Sequence, residues 1–211
     1  GWDDGYQLLS EPNAALRTVR AMIKQGGMTV IALTETRMRQ AEKGAVAAYL
    51  AKAGLDSYSA PGVEPEGGGQ VTGGVTVVWD AAVMRATKKE VLIEGRLARV
   101  ELEIIGTPRR MTVFGAYMPN RGGAREEVEA AWDELILAVV AGGPSTLVAG
   151  DLNAELRERV EARGARMTIA DRKLETMIAA AALRATARGG ATASGLTDIY
   201  SVGARFRRAR P

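Results

Sequence analysis

The chain of 211 residues contains no cysteine and no histidine, and the second absence excludes more than the first. Without cysteine there are no disulfides and no thiolate metal sites. Without histidine this chain supplies no Ser-His-Asp triad, no Cys-His pair and no imidazole-bound zinc. A resident metal would have to be a hard cation held by oxygen, which points to Mg²⁺, Mn²⁺ or Ca²⁺. Aromatic residues make up only 5% of the chain, so the core must rest on Val, Leu, Ile, Ala and Met. No stretch approaches the roughly 20 apolar residues of a membrane span. The first residue is Gly1, and no signal peptide is recognisable. An excised or processed segment is the expectation. The compartment is left open, with an intracellular setting suggested by the missing cysteine and leader.

What is present is ordinary for a globular domain: 46% apolar and 25% charged residues. The length fits one domain with a sizeable core. A net charge of +3 permits a polyanionic substrate without demanding one. The clearest basic cluster is Arg205, Arg207, Arg208 and Arg210, which reads equally as a phosphate-tracking segment or a solvated turn.

Periodicity predicts a helix from Asn13, with Leu16, Val19 and Ile23 on one face and Gly26-Gly27 at its end. Met28–Leu33 reads as a buried strand, and Gln40–Ala53 as a second helix. Val63–Gly74 is a Gly-rich loop. Strands follow at Gly74–Trp79, Leu97–Ile105 and Arg110–Ala116, with a hairpin signal at Gly106-Thr107-Pro108. Arg125–Ala141 carries an apolar stripe of Val128, Trp132, Leu135 and Val139. Thr146–Ala149 is a short apolar strand, Asp171–Leu183 a helix capped by Asp171, and Gly195–Val202 a last strand. Interspersed helices and strands with tight hairpins argue for α/β layers on a partly antiparallel sheet, in a single domain.

Five residues stand at or just past strand ends, or are acids within a strand. Asp151 and Asn153, two apart after an apolar strand, would lie on one side of an extended chain about 6–7 Å apart. Asp151 could then accept a proton from an attacking water while Asn153 holds a phosphate oxygen. Gly150 would permit a sharp turn and close approach of a substrate. The alternative is an Asx-turn closing the strand. Glu35 follows another apolar run, placed to ligate Mg²⁺ through oxygen or to stand as a solvated loop acid. Tyr117 could donate to a phosphate oxygen, or form an amphipathic rim before Pro119. Asp198 sits between Thr197 and Ile199 and needs a partner, a metal or an exposed face. Converging strand ends with oxygen-only ligands suggest metal-assisted phosphate chemistry.

The order of these segments resembles the endonuclease/exonuclease/phosphatase superfamily. Val30–Arg37 looks like its strand followed by Glu-Thr, Gly73–Trp79 its Gly-Gly strand, and Phe114–Asn120 its Tyr-x-Pro-Asn strand end. Leu147–Ala154 matches its Gly-Asp-Leu-Asn-Ala segment, and Ser194–Tyr200 is similar to Ser-x-Ile-Asp-Tyr with Thr197 where Ile is usual. The wording is closest to the endonuclease domain of non-LTR retrotransposons. The resemblance implies a four-layer α/β/β/α sandwich of two mixed sheets. It also implies Mg²⁺ (or Mn²⁺) bound by Glu35, with Asp151 as base and Asn153 and Tyr117 on the phosphate. Asp198 would position the catalytic group, and DNA would be the partner. The family's first strand with its Asn and its terminal Ser-Asp-His segment are not found, so a domain truncated at both ends is expected. An inactive remnant serving as a subunit, with a protein partner covering exposed sheet edges, is the rival expectation. Phosphoinositides, nucleotides or RNA are the other substrates such a domain could take.

Overall fold

The computed structural model describes residues 14–25, 27–120, 122–143 and 145–181. The strand expected at Gly195–Val202, the basic cluster at Arg205–Arg210 and Asp198 lie outside the described residues. Among those described are five α-helices and seven strands: α1 (Ala14–Lys24), β1 (Val30–Thr34), α2 (Lys43–Lys52), β2 (Leu55–Ala60), β3 (Val75–Asp80), β4 (Met84–Ile93) and β5 (Leu97–Ile104). They continue with β6 (Arg110–Tyr117), α3 (Arg125–Ala141), β7 (Thr146–Asp151), α4 (Arg157–Ala162) and α5 (Ile169–Ala180).

The strands form two sheets, one ordered β1-β3-β2 and the other β4-β5-β6-β7. Every pairing is antiparallel except β6 with β7, whose crossover runs through α3. Three apolar interfaces stack the molecule into four layers. Val19 and Ile23 of α1, with Val46 and Leu50 of α2, pack on Ile31, Leu55 and Val78. Between the sheets lie Val77 and Trp79 on one side and Val100, Leu102 and Val113 on the other. Beyond the second sheet, Trp132 and Leu135 of α3 and Leu174 and Met177 of α5 cover Leu97, Phe114, Ala116 and Val148. The four-layer α/β sandwich is therefore present. The sheets approach closely at Gly115, where a Cβ would meet Val75 and Val77 side chains at 2.7 Å.

The α3 stripe read from the sequence is buried: Val128, Trp132, Leu135 and Val139 are all within 3% exposure. Three elements have no strong apolar period. In β2 (LDSYSA) two inward positions are Ser57 and Ser59, and the Ser59 hydroxyl meets that of Thr76 on β3 at 2.9 Å. A satisfied hydroxyl pair thus stands where an apolar residue would mark the strand. β4 (MRATKKEVLI) is a lysine-bearing edge strand with irregularities at Ala86/Lys88 and Val91/Ile93. α4 is one and a half turns inside a charged segment and buries only Val160.

The start of α5 also differs from expectation. Thr168, not Asp171, is its N-cap: the Thr168 hydroxyl accepts from the Asp171 N–H, and the Asp171 carboxylate accepts from the Thr168 N–H at 2.8 Å. This reciprocal pair satisfies two donors at once. Asp171 itself is completely buried.

Candidate active site

Three strand ends converge at one edge of the sandwich. β6 ends at Tyr117 and β7 at Asp151, and these two residues are register partners in the parallel pair. β1, in the other sheet, delivers Glu35 just past Thr34. The Tyr117 hydroxyl donates to the Glu35 carboxylate, so the hydrogen bond joins the two sheets. Asp151 lies near enough for its charge to act on the same phenol. The structure thus brings Glu35, Tyr117 and Asp151 together.

The Tyr117 phenol is strongly perturbed. Burial, then the hydrogen bond and charge of Glu35 and the charge of Asp151, push the Tyr117 pKa up to about 12. The guanidinium of Arg96, 5.9 Å from the ring centroid, opposes the shift. Each acceptor or negative charge favours the neutral phenol over phenolate. At neutral pH, Tyr117 is a hydrogen-bond donor. Arg96 was not anticipated from sequence; it sits in the β4–β5 turn, and its carbonyl accepts the Tyr117 N–H at 2.7 Å. Glu127 in the first turn of α3 holds its side chain at 2.6 Å.

Backbone strain concentrates at the same place. Among the described residues, the non-glycine positions with positive φ are Glu35 (51°), Arg37 (49°) and Asn153 (48°). A side chain in this region costs roughly 1–2 kcal/mol, so the surroundings must hold it there. At the β1 exit the holding is done by backbone. Thr36 N–H donates to the Gly74 carbonyl at 3.2 Å and Arg37 N–H to that of Gly73 at 2.8 Å. A Cβ on Gly74 would lie 2.4 Å from the Thr36 hydroxyl and 3.0 Å from the Arg37 nitrogen, so glycine is required there.

The β7 exit takes the Asx-turn alternative rather than the extended dipeptide. Asn153 is left-handed, and its N–H donates to the Asp151 carboxylate at 2.9 Å, which is an Asx-turn. The turn and the proposed chemistry are compatible, because the same turn fixes the carboxylate. The Asn153 side-chain amide also donates to the Met118 carbonyl at 2.7 Å, while Met118 N–H donates to the Asp151 carbonyl at 2.9 Å. β6 and β7 are thereby locked together past their ends. Gly150 serves this pairing rather than substrate access: with φ 133°, its Cβ would fall 2.0 Å from the Ala116 carbonyl oxygen.

Glu35 and Asp151 offer oxygen donors only, the set a hard cation prefers. Mg²⁺ typically takes one or two carboxylates and completes its shell with water or phosphate. Among the described residues no group of three or more acidic side chains gathers as a dedicated cage. The oxygen donors of Glu35 and Asp151 are compatible with a hard divalent cation. Two surface depressions elsewhere, one beside Arg17, Arg20 and Lys24 and one beside Arg125, Arg172 and Lys173, include none of the converging residues. No helix among the described residues is long and apolar enough to cross a membrane.

The model of the Endonuclease/Exonuclease/phosphatase family matches residues 8–207. Comparison with curated proteins gives no significant match. Among solved structures, the AP endonuclease LMAP from Leishmania major is similar at 16% identity and TM-score 0.57, covering 85% of this chain and 64% of that one. The endonuclease domain of TRAS1, a telomere-specific non-LTR retrotransposon, is similar at 12% identity and TM-score 0.54, covering 86% and 72%. ANGEL2, a 2′,3′-cyclic phosphatase, matches at 11% identity and TM-score 0.50, covering 65% and 43%. The chain thus spans under two thirds of the length of LMAP and less than half of ANGEL2. At these identities the likeness is one of fold.

Proposed function

The chain belongs to the Endonuclease/Exonuclease/phosphatase family, and from that membership we propose a metal-dependent phosphodiesterase acting on DNA, of the retrotransposon-endonuclease type. One observation carries the reading: Glu35, Tyr117 and Asp151 meet across two sheets, beside all three strained non-glycine residues described. Such strain persists where function requires a fixed geometry.

In this reading Asp151 accepts the proton of the attacking water, and the bond from phosphorus to the leaving oxygen breaks in line. Tyr117, neutral at working pH, turns its hydroxyl from Glu35 to a phosphate oxygen. Asn153 steadies the Asp151 carboxylate through its N–H and faces the phosphate with its side chain. Glu35 would hold Mg²⁺ (or Mn²⁺), which when bound would neutralise charge on the phosphate. Asp198, outside the described residues, is assigned the positioning of the catalytic group.

The test is nicking of supercoiled plasmid by the purified chain with Mg²⁺, against Asp151→Ala and against EDTA. RNA, nucleotides and phosphoinositides serve as competing substrates. Nicking that ignores metal or the Asp151 substitution overturns the proposal. A folded but inert wild type leaves the inactive-remnant reading in its place.

A further inference from the structure

Two carboxylates one helical turn apart on α5, Asp171 and Glu175, grip the backbone that follows Asn153. The Glu155 N–H donates to Asp171 at 2.7 Å, and the Arg157 N–H donates to Glu175 at 3.0 Å. Positions i and i+4 on a helix share a face, so both carboxylates reach one stretch of chain, Glu155 just ahead of α4 and Arg157 at its first residue. Together the two bonds make a clamp. Neither carboxylate belongs to the converging cluster, and Asp171 is completely buried.

The clamp is fixed to α5 itself. The second Asp171 oxygen accepts from the Thr168 N–H at 2.8 Å and from its hydroxyl at 2.7 Å. Asp171 therefore cannot turn away without undoing the helix cap. Leu174 and Met177, on the same helix, are buried against Leu152 and Met118. The left-handed Asn153 is thus held from both sides. Upstream, Asp151 and Met118 pin it to the sheet; downstream, Asp171 and Glu175 pin Glu155 and Arg157 to α5.

We propose that Asp171 and Glu175 are positioning residues, which hold the Asp151–Asn153 turn in its left-handed geometry from behind. The inference deepens the phosphodiesterase reading, since it assigns residues that act through Asp151 and Asn153. Its primary test does not depend on activity. Asp171→Asn keeps the size of the side chain but turns an N–H₂ toward groups that are themselves donors.

Amide hydrogen exchange is measured by NMR on the whole chain for wild type, Asp171→Asn, Glu175→Gln and Val46→Ala. Val46→Ala lies in the core under the other sheet and controls for general destabilisation. In Asp171→Asn the Glu155 amide should exchange about tenfold faster than in Val46→Ala, and the Asn153 resonances should move. Glu175→Gln should do the same, more weakly, at Arg157, and covers the case in which Asp171→Asn does not fold. Where wild type cleaves, kcat should fall about tenfold to 100-fold in Asp171→Asn with KM nearly unchanged. Exchange at Glu155 and Arg157 that merely follows global stability, with Asn153 unmoved, overturns the inference. A wild type that cleaves nothing, yet shows these exchange effects, instead removes the phosphodiesterase reading and leaves the clamp standing.

Discussion

The two acidic residues of the candidate site leave their strands by different constructions. Glu35 is itself the strained residue, and backbone bonds from Thr36 and Arg37 to Gly74 and Gly73 hold it. Asp151 keeps strand geometry; the strained residue comes two positions later, at Asn153, and side chains hold that one. One exit depends on what its neighbour lacks, a Cβ on Gly74. The other depends on what its neighbours carry, the groups of Asp151, Asp171 and Glu175. Backbone clamping tolerates no bulk nearby, while side-chain clamping tolerates no loss of polarity. Loss of polarity should therefore disturb the β7 exit and spare the β1 exit, while bulk is resisted at both, through Gly150 at one and Gly74 at the other.

The largest effect is expected where the proton acceptor is removed together with one support of the Asn153 turn. Asp151→Ala should lower metal-dependent cleavage by at least about a thousandfold in steady-state assays, with KM little changed. Next comes bulk at the crossing of β6 and β7. Gly150→Ala should destabilise the fold by about 3 kcal/mol or more in urea titrations, since the Ala116 carbonyl is backbone and cannot rotate aside. The same test at the other exit should be milder. Gly74→Ala should cost about 2 kcal/mol, because the Thr36 hydroxyl can yield but the Arg37 nitrogen cannot. A Gly74→Ala as harmless as a surface substitution would erase the proposed contrast.

Relief of strain sharpens the comparison further. Glu35→Gly should abolish cleavage yet raise stability by about 0.5–1 kcal/mol, seen as a small rise in Tm. A fall in stability would mean that the Tyr117–Glu35 bond outweighs the strain. The smallest effect is at Tyr117. Its folded pKa of about 12 lies above the ordinary 10.0, so the folded state binds the proton more tightly. The resulting stability is full below pH 10 and is lost as pH rises toward 12. Tyr117→Phe should remove that part of the alkaline loss, as followed by Tm against pH.

The layered α/β architecture was legible because helix stripes such as Val128–Val139 and strands such as Val75–Trp79 bury what their periods advertise. β2 and β4 were not legible. Ser57 and Ser59 face inward, Ser59 in a hydroxyl pair with Thr76, and β4 is an edge where lysines replace an apolar face. Within the site, Glu35, Tyr117 and Asp151 announced themselves by standing at strand ends. For Asn153 two readings stood open, strand continuation and an Asx-turn, and local hydrogen bonding to Asp151 makes it the turn. Arg96 gave no local signal, and Asp171 was read only as a helix cap. Their partners, Tyr117 and Glu155, lie 21 and 16 residues away in sequence, and only the packing of β5, β6 and α5 brings them close.

The irregular edge strand β4 has a consequence for the molecule's company. Its Lys88 and Lys89 and its two breaks in register interrupt the row of free backbone groups that a neighbouring copy would need. A second chain laid along it would meet ammonium groups and a ladder out of step. At the crowding of a concentrated solution, that flank should stay sterile to growth by strand addition, and fibril seeding should have to begin elsewhere on the molecule.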